Sequence, residues 1–291
     1  MKDSRKRDYQ NLSLPCGDDY TAPFADPIHE VSTPMRNAIW LAGAAVMLAS
    51  LLASPDAPAQ DKKDQKKTQP RVTVVIPLGM QPGAKATLSI RGTKLDTATE
   101  VRFADDAGEA KIKNKGKVEP PDKNPEKYGD TQVVVEVKLS DKAVAPVSFT
   151  VITPDGETKP HTLLVETSRP VIKEVEPNDD FRKPQSISEP SVVIEGSIAS
   201  PLDIDVYAIR GKKGQKLRVE SQAVRHGSAF DPHIALYRTG QLQIDAPPRR
   251  LSGDVAFEYE LPRDDQYFIA VSDALDGGGA VHVYRLSIEL K

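Results

Sequence analysis

From residue 71 onward, apolar and polar residues alternate in short runs, the period of strands with one face buried. RVTVVI opens at Arg71, ATLSIR at 86–91 puts Leu88 and Ile90 on one face, and EVRFA follows at 100–104. In TQVVVEVKL at 131–139, Val133, Val135, Val137 and Leu139 align; PVSFTVI then groups Val147, Phe149 and Val151. A turn at Thr153-Pro154-Asp155-Gly156 leads to TLLVE at 162–166. Between the third and fourth runs lies KIKNKGKVEPPDKNPEKYGD, rich in lysine and broken by Pro120, Pro121 and Pro125; it is expected to be a long exposed loop. Half a dozen short strands over residues 71–168 predict an immunoglobulin-like sandwich.

Arg169-Pro170 marks a boundary, after which a second series of strands begins. It comprises VVIEGSI at 192–198, DVYAIR at 205–210, QKLRVESQ at 215–222 and HIALYR at 233–238. VAFEYEL at 255–261, QYFIAVS at 266–272 and VHVYRLSIEL at 281–290 complete it. No helical period of useful length interrupts them, so residues 174–291 are expected to form a second sandwich of jelly-roll type. The fold class is all-β, with two β-sandwich domains in series. The 24 prolines agree with that, since proline at this density disfavours long helices.

The segment ahead of these domains has a different character. Ala38 to Ala53 reads AIWLAGAAVMLASLLA without a charge, preceded by Arg36 and followed by Ala57-Pro58-Ala59. A positive flank, a short apolar run and an A-x-A end make a secretory signal peptide over 35–59. The run is shorter than the roughly 20 apolar residues of a spanning helix. A cleaved signal leaves no stable membrane span; a retained anchor is the alternative. Residues 1–34 are polar and carry four prolines, which suggests disorder or a misassigned start, with Met35 as the true one. Residues 60–70, in which four lysines alternate with acids and glutamines, read as a charged tether. The chain's only cysteine, Cys16, lies in the doubtful first segment, so neither disulfides nor thiolate metal sites are expected in the exported part. Residues 1–59 hold five of the 39 basic and seven of the 42 acidic residues, which leaves the rest nearly neutral and gives no case for nucleic acid. A periplasmic, cell-surface or secreted location is expected.

The first unit resembles the IPT/TIG-type immunoglobulin-like domain. The resemblance rests on the Pro82-Gly83 turn, on Gly92 and Leu95, and on Val151, Thr153, Pro154 and Gly156. The second, over about 174–290, is similar to the bacterial pre-peptidase C-terminal domain. Its opening EVEPNDDF at 174–181, Gly196 followed by Asp205-Val206-Tyr207, and Gly214-Gln215 match that family's motifs in order. So do GSAFDPHIALY at 227–237, Tyr267–Val271 and Tyr284-Arg285-Leu286. Such domains accompany secreted proteases. The resemblance therefore implies an exported binding or accessory module engaging a protein or extracellular polymer.

The carboxylates of the opening segment are the candidate chemistry. Hard calcium ions take six to eight oxygens, and an extended E-x-E-x-N-D stretch can aim alternate side chains at one point. Some family members bind calcium there. Carried over by position, the implied ligands are Glu174, Glu176, Asn178, Asp179 and Asp205, with calcium as the one cofactor. The chain departs from the fuller pattern at Leu202, where Asp203 can substitute. The plainer alternative is that EVEPNDD only caps the sandwich through turn amides. No nucleophile elbow, zinc helix or phosphate loop occurs, and the histidines have no ligand spacing, so no enzyme is expected. Two other roles remain open: an accessory or degenerate component of a secreted peptidase system, and a structural spacer of the cell envelope.

Overall fold

In the computed structural model, residues 69–240, 242–245 and 253–291 are described; the expected signal peptide, the segment before it and most of the tether lie outside them. The described residues belong to one compact unit, Lys63–Lys291. Its first part contains β1 (Arg71–Ile76), β2 (Gly79–Met80), β3 (Lys85–Thr93), β4 (Glu100–Phe103) and β5 (Gly108–Lys117). A single helical turn, α1 (Pro125–Tyr128), precedes β6 (Thr131–Leu139), β7 (Val147–Thr153), β8 (Gly156–Glu157) and β9 (His161–Val165). One sheet runs β1-β3-β6-β5 and the other β2-β9-β7-β4. That order is the one an immunoglobulin-like sandwich requires. The alternating residues of β3, β6 and β7 meet between the sheets, where Leu88, Ile90, Val135, Phe149 and Val151 are fully buried.

The lysine-rich stretch departs from expectation. Residues 111–117 are not loop but the outer half of β5, which pairs with β6 from Gly108↔Leu139 to Lys117↔Thr131. Ala110 and Ile112 pack on the core while Lys111 and Lys113 point to water. Lysines on an edge strand discourage pairing with another chain, and here they also hide the strand's alternation. Only the proline-rich part after it forms the loop, closed by α1, whose Asn124 side chain accepts from Lys127 N.

The second part contains β10 (Val171–Lys173), β11 (Gln185–Ser186), β12 (Ser191–Ser197), β13 (Ile204–Gly211) and β14 (Lys216–Gln222). β15 (Pro232–Arg238), β16 (Leu242–Asp245), β17 (Ala256–Glu260), β18 (Asp265–Asp273) and β19 (Val283–Leu290) follow. Its sheets run β10-β12-β19-β14-β17 and β11-β13-β18-β15-β16. From β12 onward the chain switches sheet so as to place β19 between β12 and β14, and β18 between β13 and β15. This is a jelly roll. Between the sheets lie Val192, Ile194, Leu217, Val219, Phe230, Leu236, Ile269 and Leu286, all at most 1% exposed.

The two sandwiches share a seam. A bulge between Val72 and Val74 changes the parity of β1, so that Val72 and Val75 face the first core while Val74 and Ile76 face the second sandwich. There Val74 and Leu78 meet Val281 and Val283 in a separate small core. Gly227 (φ +82°) lets the backbone pass so close that a Cβ would stand 1.8 Å from the Thr73 carbonyl oxygen. The linker is clasped by Glu166: its Oε1 accepts from Ser168 N at 3.0 Å and Arg169 N at 3.1 Å. Its Oε2 pairs with Arg169 at 2.7 Å, and Arg169 also reaches Glu289 on β19 at 3.4 Å.

Two predictions follow from the seam and its clasp. Burial alone raises the Glu166 carboxyl, but the hydrogen bonds from Arg169 and Ser168 and the Arg169 charge outweigh it and hold the pKa at about 2. A carboxyl depressed by folding stabilises fully above its unfolded pKa, and that stability is lost as pH falls through the folded one. Between about pH 5 and pH 2 the protein loses roughly 2–3 kcal/mol that Glu166→Gln does not lose. Urea melts of both proteins across that range measure the difference, and parallel pH curves contradict the clasp. Gly227→Ala costs more than about 2 kcal/mol, against about 1 kcal/mol for Gly240→Ala. Gly240 shares the positive φ, at +86°, but has nothing within 4 Å of an added Cβ. Equal losses would mean that the backbone angle, and not the seam, sets the cost.

Candidate functional site

The segment linking β10 to β11 forms a strap along the edge of β13. It is pinned at three points. Glu174 N donates to Glu195 O at 2.9 Å, and Val206 N donates to Asn178 O at 3.0 Å. Phe181 lies on the outer face of the β13–β18–β15 sheet, edge-on to Tyr237 at 4.9 Å and to Phe268 at 5.7 Å between centroids. The phenylalanine that ends the EVEPNDDF motif is therefore an apolar anchor. With both ends fixed, the acidic residues between them are held over the mouth of the sandwich.

Four of the five expected ligands converge there. Asp205, the second residue of β13, points inward and is fully buried, and Asn178 is 1% exposed. Carboxylate oxygens of Glu174, Glu176 and Asp205 lie within 4.8 Å of one another. Asn178 N donates to Glu176 Oε2 at 3.0 Å, which turns the strap inward. The outer end of the Asn178 amide stands 3.1 Å from Glu176 Oε2 and 3.2 Å from Asp205 Oδ1. Asp179, the fifth, is exposed and belongs to a neighbouring group with Glu176 and Asp203, again with oxygens within 4.8 Å. Asp203 thus does stand beside the site, as the departure at Leu202 suggested, and its Oδ2 also accepts from Ala199 N at 2.6 Å.

Beneath the carboxylates are two tyrosines that motif matching placed in strands without giving them a role. Tyr284 of β19 donates to Asp205 Oδ2 at 2.5 Å. The phenol oxygens of Tyr207 and Tyr284 are 2.6 Å apart, and both lie within 3.3 Å of Glu174 Oε1. Ser197 N donates to Glu174 Oε2 at 2.9 Å. Burial, then the hydrogen bond and charge of Glu174, push the Asp205 carboxyl up to about 10, against the opposing bond from Tyr284. Burial and the charges of Glu174, Asp203 and Asp179 also raise Glu176, although the Asn178 amide offsets part of this. Burial foremost keeps both phenols well above their usual range, so they remain donors. The alternation of strand residues carries a signal for them, since Tyr207 shares the inward face of Asp205 two residues on.

The serine and histidine groups near by have other duties. Ser228 Oγ donates to Val281 O at 3.0 Å and accepts from Phe230 N and Val283 N. His233 Nδ1 and Ser272 Oγ, 3.3 Å apart, are partners across the β15–β18 ladder. His161 packs on Phe149, and burial followed by the His226 charge lowers its pKa to about 4.

No family model matches the chain. No curated protein matches it. Among solved structures, it is similar to Aeromonas hydrophila PliG, a periplasmic lysozyme inhibitor of g-type lysozyme. The identity is 18% over 43% of this chain and 100% of that one, with a TM-score of 0.30. Salmonella Typhimurium PliG gives 20% identity over 37% of this chain and 97% of that one, with a TM-score of 0.27. The pre-peptidase C-terminal domain of the Bacillus anthracis collagenase gives 9% over 43% and 99%, with a TM-score of 0.23. At these scores the fold assignment rests on the strand order above, and function on the site.

The tyrosine pair offers a direct test of the site's construction. Tyr284→Phe removes a donor from a buried carboxyl and lowers stability by about 1–3 kcal/mol in metal-free buffer. Adding Tyr207→Phe costs less than the sum of the two single changes, because both hydroxyls serve one network. Strict additivity in a double-mutant cycle would show that they act separately.

Proposed function

We propose that the chain is an exported, non-catalytic binding protein whose second sandwich is a pre-peptidase C-terminal domain with a calcium-ordered strap. The supporting observation is the convergence of Glu174, Glu176, Asn178 and Asp205. The oxygens of the three carboxylates lie within 4.8 Å of one another on a strand and a strap pinned at three points, with the Asn178 amide against them. Carboxylate oxygens are the donor type that hard divalent cations select. The Asn178 amide has two useful orientations. Its nitrogen turned outward donates to Glu176 and Asp205; its oxygen turned outward adds a neutral donor to the three carboxylates. The first arrangement suits the metal-free state, the second a bound cation. Asp179 supplies a further oxygen from the exposed side. The ion's contribution is structural: it offsets the mutual repulsion of carboxylates held close together.

The apolar run at 38–53 supports export, and the described residues contain no helix long and apolar enough to cross a membrane. The structural hydrogen bonds of Ser228 and His233, together with a periplasmic, cell-surface or secreted location, support a role in binding. Its partner is read as a protein or an extracellular polymer. The first sandwich is read as IPT/TIG-like, a spacer that the seam holds in fixed register with the second.

Calorimetric titration of the full chain with calcium is expected to give one tight site and a raised melting temperature. At a calcium concentration about 100 times Kd the gain is about 2.7 kcal/mol. Asp205→Asn keeps the shape of the side chain but cannot take on the negative charge that a bound cation would draw out of Asp205. It is expected to leave the metal-free melting temperature nearly unchanged and to abolish the calcium-dependent rise. No heat and no shift in the unaltered protein would eliminate the calcium reading, whereas cleavage of casein or gelatin would eliminate the non-catalytic one.

A further inference from the structure

Two turns beside the strap carry side chains that folding does not explain. In Ser200–Asp203, closed by Asp203 N to Ser200 O at 3.2 Å, Pro201 and Leu202 are the central residues. Leu202 has φ +68° and is 73% exposed. The third position of a turn with positive φ is one that glycine or asparagine ordinarily fills. A leucine there is unfavourable for the backbone and for hydration alike. The turn Asp273–Asp276 presents Leu275, 70% exposed. The segment that follows the second turn runs against the first: a Cβ on Gly278 would stand 2.2 Å from the Ser200 backbone, and Gly279 N donates to Ile198 O at 2.8 Å. Ile204, 40% exposed, follows Asp203, and Val175, 64% exposed, precedes Glu176. Isolated exposed leucines need no explanation, but apolar side chains grouped on adjoining turns do.

The surrounding charge selects the occupant. Asp203 lies between Leu202 and Ile204, within 4.8 Å of Glu176 and Asp179. Arg182 does not neutralise this group, being paired with Asp180 at 2.8 Å. A divalent ion in the strap offsets only part of five neighbouring carboxylates, so the tip stays negative. A second copy would bring the same acids face to face, and an anionic lipid surface would be repelled.

We propose that the turns Ser200–Asp203 and Asp273–Asp276 dock a cationic protein face, one on which lysine or arginine side chains surround an apolar patch. This deepens the binding role proposed above and rests on it for the claim that a protein is the ligand. Fluorescence anisotropy of the full chain with three labelled peptides tests it: leucine–lysine, serine–lysine of equal charge, and leucine–glutamate. The leucine–lysine peptide is expected to bind, the serine–lysine peptide at least about tenfold more weakly, and the leucine–glutamate peptide not at all. Leu202→Asn combined with Leu275→Ser weakens the first by at least about tenfold. It does so without lowering the melting temperature, since asparagine suits the turn, and without altering the calcium titration. Equal binding of both lysine peptides, or an unaffected double variant, overturns the proposal. So does leucine-dependent dimerisation in sedimentation, or leucine-dependent binding to phosphatidylcholine vesicles. A silent calcium titration with leucine-dependent peptide binding intact would remove the calcium reading and leave the docking surface standing.

Discussion

A buried carboxyl, Asp205, and a half-buried one, Glu174, held against two phenols at the mouth of the second sandwich are the constraint around which its acidic end is arranged. Asp205 and Glu174 come from different elements, and Tyr207 and Tyr284 from opposite sheets, yet their oxygens meet within a few ångströms. A buried carboxylate without compensation is among the costliest things a fold can contain. Here the compensation is layered. Phenol donors lie below, a backbone amide from Ser197 at the side, and the Asn178 amide above. A retained proton or a cation supplies what is left. The strap's path follows from this, because its residues must enter the mouth at set positions to close the network.

Position over the mouth is secured by backbone hydrogen bonds and one apolar contact, and not by the acidic side chains themselves. Phe181 clamps one end of the strap to the outer sheet face, while β10 adds the other end to β12 in parallel. This division of labour separates the placing of the strap from the charge it carries. Neither the Phe181 contact nor the β10–β12 ladder depends on the charge of the carboxylates, so the strap keeps its place when that charge changes. It also accounts for the motif's composition: acids for the charge, asparagine for an amide donor to Glu176 and Asp205, and phenylalanine for the clamp.

Much of this was legible in the chain, and the exceptions have physical causes. Every run with clean alternation, from TQVVVEVKL to VHVYRLSIEL, lies in a strand, because such strands bury one face in a shared core. β5 escaped because edge strands replace one face with lysine, and because its bulge after Ile112 breaks the period. The two-residue strands β2, β8 and β11 carry no period at all. Among the site residues, the acids announced themselves by type and spacing. Tyr207 and Tyr284 did not, since buried tyrosines in strands look like core until a partner for the hydroxyl is found. The separation of Asp179 from the inner group was equally hidden, because adjacent residues on a strap diverge according to a local turn that no spacing rule captures.

The seam ties these observations into one mechanical unit. β1 is bulged so that its valines serve two cores, and the following Ile76–Leu78 segment reaches the second sandwich beside the site. A cavity of about 280 Å³ there is bounded by Ile76, Pro77 and Leu78 on one side and by Glu174, Glu195 and Tyr284 on the other. Glu174 therefore has Glu176 and Asp205 on one flank and the first sandwich on the other. Arg285, fully enclosed, pairs with Glu195 at 3.2 Å along the same strand as Tyr284. Any change in the charge held by Glu174 is consequently felt at the boundary between the sandwiches. A rigid seam would transmit that change as altered stability of the boundary, whereas a compliant one would let the two halves reorient. The Glu166–Arg169–Glu289 clasp and the close passage at Gly227 both act against reorientation. The seam thus holds the two sandwiches in a fixed relation, with the acidic site of the second lying beside their boundary.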